Sequence, residues 1–474
     1  MADSKSLFDR AEAAWRAGNM EDARTFAEQV LERDPVHAGA LMILTNLCFS
    51  AGDIAGAAPY LQRLAALFPD DIMIRNNLGR ALLASEHLGD AAQAFGKVLA
   101  AEPDNARALD GLGIVRHRQG AYDDAAGLHA GAIRVEPEFA AGWCNLGIAL
   151  TDLARFDDAA ATLDRALALD PDDARTRFNR AILHLSAGDW HAGWPLYESR
   201  LAFLGGEMPP GRRWQGELLS GERILLIPEQ GFGDFIQFTR FAERVQERGG
   251  APVLAVPKAL KPLIAAQDWS IDHCEVDTPE DTPLWCPLMS LGPVLDLAPG
   301  DVSGGAYLRA PSGPATHAEG AILRVGLAWA GSPAHRRDRE RSLRLADLAP
   351  LFDVPDVSFV NLQVGLRPAD AEEMAGRPGL FAETPDLGDF AATADVIAGL
   401  DLVISADTAV LHLAGAMGCS VWGLLPLVAD WRWGRDGMAS PWYDSLRLYR
   451  QSSRGDWKQV AATVADDLRG LARR

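Results

Sequence analysis

Hydrophobic positions in this chain follow two rhythms. Over the first third they recur with helical spacing inside a longer period. Leu44, Leu78, Leu112 and Leu146 are each 34 residues apart, and so are Ala23, Ala57, Ala91, Ala125 and Ala159. A fixed period of that length predicts stacked helix pairs. From residue 224 the rhythm changes to short, almost wholly apolar runs separated by amphipathic stretches. That is the pattern of buried parallel strands alternating with helices. The runs at 224–228, 253–256, 325–329, 357–363, 402–405 and Val421–Leu425 predict strands. The stretches at 235–248, 389–399, 410–417 and 456–471 predict helices, the last of them packing back across two α/β halves. Between 260 and 308 only short elements are expected.

The 34-residue period has further registers. Pro35, Pro69, Pro103, Pro137 and Pro171 close successive units, because proline stops a helix and suits the start of the next. Gly18, Gly52, Gly120 and Gly188 end the first helix of a pair, with Glu86 and Ala154 in the gaps of that register. Gly79, Gly113 and Gly147 follow three of the leucines and let antiparallel helices approach closely. Several agreeing registers resemble the tetratricopeptide repeat. Five repeats cover roughly residues 3–171, and a degenerate sixth runs through Asn179, Gly188 and Trp194 without the closing proline. Such arrays stack into a superhelix whose concave face is lined by the first helices. Asn77, Asn145 and Asn179 share one position on those helices, where Ile43 and Gly111 break the series. An Asn side chain both donates to and accepts from a peptide amide. The row resembles a shorter, interrupted version of the asparagine ladder of nucleocytoplasmic O-GlcNAc transferases, which implies an acceptor-peptide groove. The bland alternative is a set of polar residues on a solvated surface.

Residues 204–220 contain Gly-Gly, Pro-Pro and Gly-Arg-Arg and read as a linker. The strand after it runs into Gly231-Phe232-Gly233-Asp234. A strand, a glycine-rich turn and a helix place backbone N–H groups at a ligand crevice. The turn is not G-x-G-x-x-G, so a dinucleotide cofactor is rejected. Asp234 stands where a general base belongs, or is an ordinary helix-capping aspartate. After the strand at 325–329 comes a basic loop with His335, Arg336, Arg337, Arg339 and Arg341, a plausible phosphate clamp in an acidic protein. Asp407-Thr408 follow the strand at 402–405 and cap the next helix, which Gly418 ends. Free N–H groups and the positive end of that helix attract phosphate. Trp431 and Trp433, around Arg432, are a candidate wall for a base or sugar, though core packing explains them at least as well.

Composition narrows the class. A chain of 474 residues predicts two or three domains. The net charge of −20 argues against general nucleic-acid binding. Cys48, Cys144, Cys274, Cys286 and Cys419 are scattered and odd in number, as in a reduced cytoplasmic protein without a disulfide or zinc framework. No apolar run approaches the ~20 residues of a membrane span, and the N-terminus lacks a signal-peptide core.

Two α/β halves facing a cleft suggest the GT-B architecture. Gly233-Asp234-Phe235-Ile236 resembles the G-D-x-I turn of the ADP-heptose:lipopolysaccharide heptosyltransferase family. Asp407-Thr408-x-x-x-His412-Leu413, with Ala416, resembles that family's D-T-x-x-x-H-L-x-A donor segment. The fusion to repeats is similar to bacterial relatives of O-GlcNAc transferase and to flagellin-modifying transferases. The organisation implied is a solenoid at 1–203, a linker at 204–220, an acceptor-side half at 221–320 and a nucleotide-sugar-side half at 321–474.

By that resemblance Asp234 is the catalytic base. Gly231, Gly233, Arg336, Arg337, Arg339, Arg341, Asp407, Thr408 and His412 hold the nucleotide-sugar, and Asn77, Asn145 and Asn179 hold the acceptor protein, flagellin being one candidate. No cofactor and no metal is implied. The lysine that O-GlcNAc transferases place near the phosphates has no clear counterpart here. A glycan- or lipid-carrier-directed transferase of the heptosyltransferase type, and an inactive repeat scaffold, stay open as alternatives.

Overall fold

A computed structural model describes residues 4–205, 209–276, 282–313 and 322–473. The chain divides into two compact units, Met1–Asn179 and Arg180–Arg474. Among the described residues no helix is long and apolar enough to cross a membrane.

The first unit is a run of antiparallel helix pairs with the expected period. Its first helices include Ala38–Ser50, Ile72–Ala84, Ala106–Arg118 and Ala140–Asp152, each followed by its partner. The start of a first helix is set by a capping residue in register. His37, Asp71 and Asn105 accept from the backbone N–H three residues on, while Phe139 at the fourth such place makes no side-chain cap. The end is set by a left-handed residue. Gly18, Gly52 and Gly120 have φ of +77°, +73° and +82°, and Glu86 and Ala154 are forced into the same region at +60° and +58°. Phe95, His129 and Leu163, again 34 residues apart, press onto Gly79, Gly113 and Gly147. A Cβ on any of those glycines would come within 2.8 Å of the facing side chain.

The second unit begins earlier than the expected boundary at 203. Trp190, Trp194, Tyr197 and Arg200 are buried within it. Trp194 Nε1 donates to Leu297 O at 2.7 Å, and Arg200 Nη2 to Glu229 Oε2 at 2.8 Å. These large side chains assign the end of the degenerate repeat to the α/β unit. The expected linker is also corrected in part. Arg212–Arg213 form an edge strand, and Trp214 beside them is fully buried; residues 206–208 lie outside the described residues.

Two parallel sheets follow. The first contains β1 (Arg212–Arg213), β2 (Arg223–Ile227), β3 (Ala251–Val256), β4 (Asp272–Glu275) and β5 (Leu284–Pro287) in the order β1-β5-β2-β3-β4. The second contains β6 (Leu323–Ala328), β7 (Val357–Asn361), β8 (Leu402–Ala406), β9 (Val421–Leu425) and β10 (Leu446–Arg450) in the order β10-β9-β8-β6-β7. Every pairing is parallel. Each order reverses once, at β2 in the first sheet and at β6 in the second. The crevice at the carboxyl end of strands flanking such a reversal is where open α/β sheets bind ligands.

Two helix expectations are corrected. The single helix at 235–248 is three pieces, Phe232–Phe238, Thr239–Phe241 and Ala242–Glu247. It begins three residues early because Asp234 accepts the Gly231 N–H and caps that start. The last helix, Trp457–Ala472, does not span the two sheets. Trp457, Val460, Val464 and Leu468 are buried against Leu345, Leu351 and Tyr449 in the core of the second sheet.

Candidate functional site

The carboxyl edges of the two sheets open into one cavity of about 850 Å³. The first sheet contributes the turn after β2, with Gly231, Phe232, Gly233 and Asp234. The second contributes the ends of β6 and β8, with Arg341, Asp407, Thr408 and His412, and the loop after β9, with Asp430 and Arg432.

Helix Phe232–Phe238 and helix Ala409–Ala416 meet at this place. Gly233 makes the meeting possible, since a Cβ there would lie 2.8 Å from the His412 ring. His412 is buried, with Nδ1 2.9 Å from the Tyr443 hydroxyl and its ring tilted against Trp433. Burial, helped by the nearby Arg432 charge, holds its pKa down at about 3, so the imidazole is neutral. Its Nε2 lies 3.9 Å from Asp407 Oδ1.

Arg432 is the centre of the polar floor. Its guanidinium is buried and binds Asp430 Oδ1 at 2.7 Å, Gln237 Oε1 at 2.6 Å and Asp234 Oδ1. The other oxygen of Asp234 accepts the Gly231 N–H at 2.8 Å. Asp234 is therefore both a helix-capping residue and a cavity residue, and Arg432 ties it to the opposite sheet. Two carboxyls on the second-sheet side titrate apart. Burial and the neighbouring Asp430 push Asp407 up to about 6, against the pull of Arg341. Burial also pushes Asp430 up, but the Arg432 guanidinium prevails and holds it below the usual range.

The helix that starts at Ala409 is not capped as expected. Thr408 occupies the capping position without a side-chain bond to the helix, and its hydroxyl instead lies 3.1 Å from Ser405 Oγ. Ala409 and Val410, the first residues of that helix, line the cavity, and the capping side chain leaves their amides unbonded. Arg341 reaches the same place, donating to Asp407 O at 3.0 Å. Of the four arginines expected around phosphate, Arg341 lines the cavity and Arg336, Arg337 and Arg339 do not. Arg337 instead binds Glu340 at 2.7 Å and Val428 O at 3.2 Å. Trp431 and Trp433 are buried rather than walls of the cavity. Trp431 packs edge-on against Trp190, Trp194 and Trp442.

The three asparagines of the solenoid differ among themselves. Asn77 is half-buried and lines a small groove of about 300 Å³ with Met73, Arg80 and Arg107. Asn145 is buried, and its Nδ2 donates to both oxygens of Asp110 at 2.9 and 3.0 Å. Asp110 also takes the His129 ring at 2.7 Å, so Asn145 satisfies an internal charge and leaves the expected ladder. Asn179 Nδ2 donates back to Arg175 O at 2.8 Å.

Asp430, Phe232, Phe390 and Gln363 also line the cavity, and the sequence does not single them out as site residues. Asp430 and Phe232 carried a signal. One follows an apolar strand, and the other is a large apolar residue set between two turn glycines.

Comparison with known proteins bears on the repeats and, through one relative, on residues beyond them. Two models described as tetratricopeptide repeat match residues 8–72 and 76–143, and residues 116–190. "Protein FlbA" of Caulobacter vibrioides (strain ATCC 19089 / CIP 103742 / CB 15) is 28% identical over 344 residues, covering 64% of this chain and 56% of that protein. The chain thus spans about half the length of that curated relative. Among solved structures, MamA is 22% identical with a TM-score of 0.32, covering 36% of this chain and 94% of its own. PilW, a type IV pilus biogenesis factor, is 19% identical with a TM-score of 0.36, covering 44% of this chain and 97% of its own. The N-terminal region of this chain is a tetratricopeptide-repeat solenoid, and an α/β unit with two five-stranded parallel sheets follows it.

Proposed function

We propose that the α/β unit is a GT-B-type glycosyltransferase. In this reading the chain moves a sugar from a nucleotide-sugar to a protein Ser or Thr hydroxyl, and the repeats recruit the acceptor. One observation carries it: the carboxyl edges of two parallel sheets open into one cavity, with Asp234 on one side and the start of helix Ala409–Ala416 on the other. The diphosphate sits against the first amides of that helix and Arg341, where partial positive charge and a guanidinium offset its charge. Asp234, aimed by Gly231 and Arg432, faces the acceptor. The acceptor oxygen attacks the anomeric carbon, and the bond from that carbon to the diphosphate oxygen breaks. The electron pair leaves with the diphosphate, and the hydroxyl proton passes to the Asp234 carboxylate. Flagellin is the first acceptor to try, on the strength of the resemblance to flagellin-modifying transferases.

The test is direct. The purified chain is given UDP-, GDP-, ADP- and CMP-sugars with acceptor protein, and nucleotide release and acceptor mass are followed. Transfer with one donor is expected, and Asp234→Asn slows it by roughly 10²–10⁴-fold while nucleotide binding persists. Equal turnover by Asp234→Asn removes that residue from the chemistry. Absence of a thermal shift with every nucleotide and nucleotide-sugar overturns the reading as a whole.

A further inference from the structure

We infer that Phe232 and Phe390 form a subsite for a planar heteroaromatic ring, the base of a nucleoside diphosphate, within the same cavity. The inference rests on the reading above that the cavity takes a nucleotide-linked donor, and it adds where the base lies.

Phe232 is 44% exposed, although Phe235 and Phe238 of the same short helix are 1% and 0% exposed. The helix therefore has a buried face, and Phe232 is not on it. Leaving an aromatic ring in water forgoes the gain of burying it. Its ring meets Phe390 at a centroid distance of 5.2 Å and an angle of 66°. Phe390 opens the helix Phe390–Ala398, whose start is fixed by Asp389 accepting the Ala392 N–H at 2.9 Å. The two rings thus come from opposite sides of the cavity, one from the turn after β2 and one from the helix before β8. Val364, 63% exposed, and Leu387 extend the apolar lining.

Asp407, Thr408 and Arg341 supply the polar part of the same lining. A cavity with an aromatic patch and a polar end suits a ligand with a flat ring at one end and charge at the other. Stacking on a phenyl ring uses the π-face that every base has, so this pair binds a base without choosing which. Choice among bases falls to other groups.

The experiment is calorimetric titration of the full chain with UDP, ADP and GDP, and with inorganic pyrophosphate as a probe that has no ring. Phe232→Ala, at an exposed position, is expected to weaken the nucleoside diphosphate that binds by about tenfold or more. Pyrophosphate affinity stays within about twofold, and Phe232→Tyr retains nucleotide binding. Equal loss for nucleotide and pyrophosphate, or no loss for either, overturns the subsite. Binding of pyrophosphate by the unaltered chain without binding of any nucleotide overturns the subsite and leaves a phosphate site. Binding of none of the four removes the donor cavity as well.

Discussion

Each unit buries a network of charged and polar side chains, and the two networks span very different lengths of chain. In the solenoid, Asp110 takes His129, 19 residues on, and Asn145, 35 residues on. In the α/β unit, Arg432 takes Gln237 and Asp234, 195 and 198 residues back. The first network joins neighbouring repeats and occupies the place that Phe95 and Leu163 fill elsewhere with hydrocarbon. It holds a repeat interface. The second joins the edges of two sheets and forms part of a cavity lining. A buried polar cluster by itself therefore says little about function; its position relative to open space separates packing from chemistry.

The difference is sharpest under mutation. Arg432→Ala leaves Asp430 and Asp234, both half-buried, without the guanidinium that joins them. We expect a loss of about 2–3 kcal/mol in urea unfolding, less than for a fully buried pair because water reaches both carboxylates, together with loss of nucleotide binding. A variant as stable as the parent would show that Arg432 does not join the two sheets.

In the solenoid the expected cost is smaller and confined to stability. His129→Leu and Asp110→Ala each cost about 2 kcal/mol, by stranding a buried polar partner. Together they cost less than their sum by at least about 1 kcal/mol in a double-mutant cycle. Nucleotide affinity is unchanged in both. Additive costs would mean that the two residues act separately.

A third effect depends on pH. In the folded chain the Asp407 carboxyl keeps its proton up to about pH 6. In the unfolded chain it loses the proton near the ordinary value of about 4. Its contribution to stability is full below that lower value and is lost as pH rises through the folded one. Asp407→Asn, which cannot ionise, is therefore expected to be more stable than the parent by roughly 1–2 kcal/mol at pH 8. The advantage shrinks through pH 6 and vanishes below about pH 4. A pH-independent difference in thermal unfolding would contradict this.

The smallest effect probes the repeat itself. Glu86 and Ala154 hold a left-handed conformation that glycine holds at the neighbouring registers. Glu86→Gly and Ala154→Gly should each gain about 0.5–1 kcal/mol, read as a rise in Tm. A loss in both would show that side-chain contacts outweigh backbone strain there.

Much of the architecture was legible because it follows from short-range chemistry. The 34-residue period, the register of left-handed residues and the apolar runs of both sheets each depend on a few neighbours along the chain. The two turns at the sheet edges were legible for the same reason, since a strand, small or capping residues and a helix read as a unit. The same local reading ended the solenoid at 203; the repeat pattern itself runs to 190, but the buried Trp190 and Trp194 pack within the second unit. It treated 212–214 as linker, although β5 supplies an edge that draws them into a sheet.

The amino-acid sequence by itself determined the repeat and the six most apolar strands, because propensity and spacing act within a turn or two. The short or more polar strands Arg212–Arg213, Asp272–Glu275, Leu284–Pro287 and Leu446–Arg450 needed their neighbours in the sheet. Only the tertiary structure decided which side chains are spent on other duties. Asn145 reads like Asn77 until Asp110 and His129 are seen beside it. Four loop arginines look equivalent until one reaches the cavity and another closes on Glu340. Asp234 and Arg432, far apart in the chain, become one site because folding removes water from between them, and an unpaired charge cannot remain there.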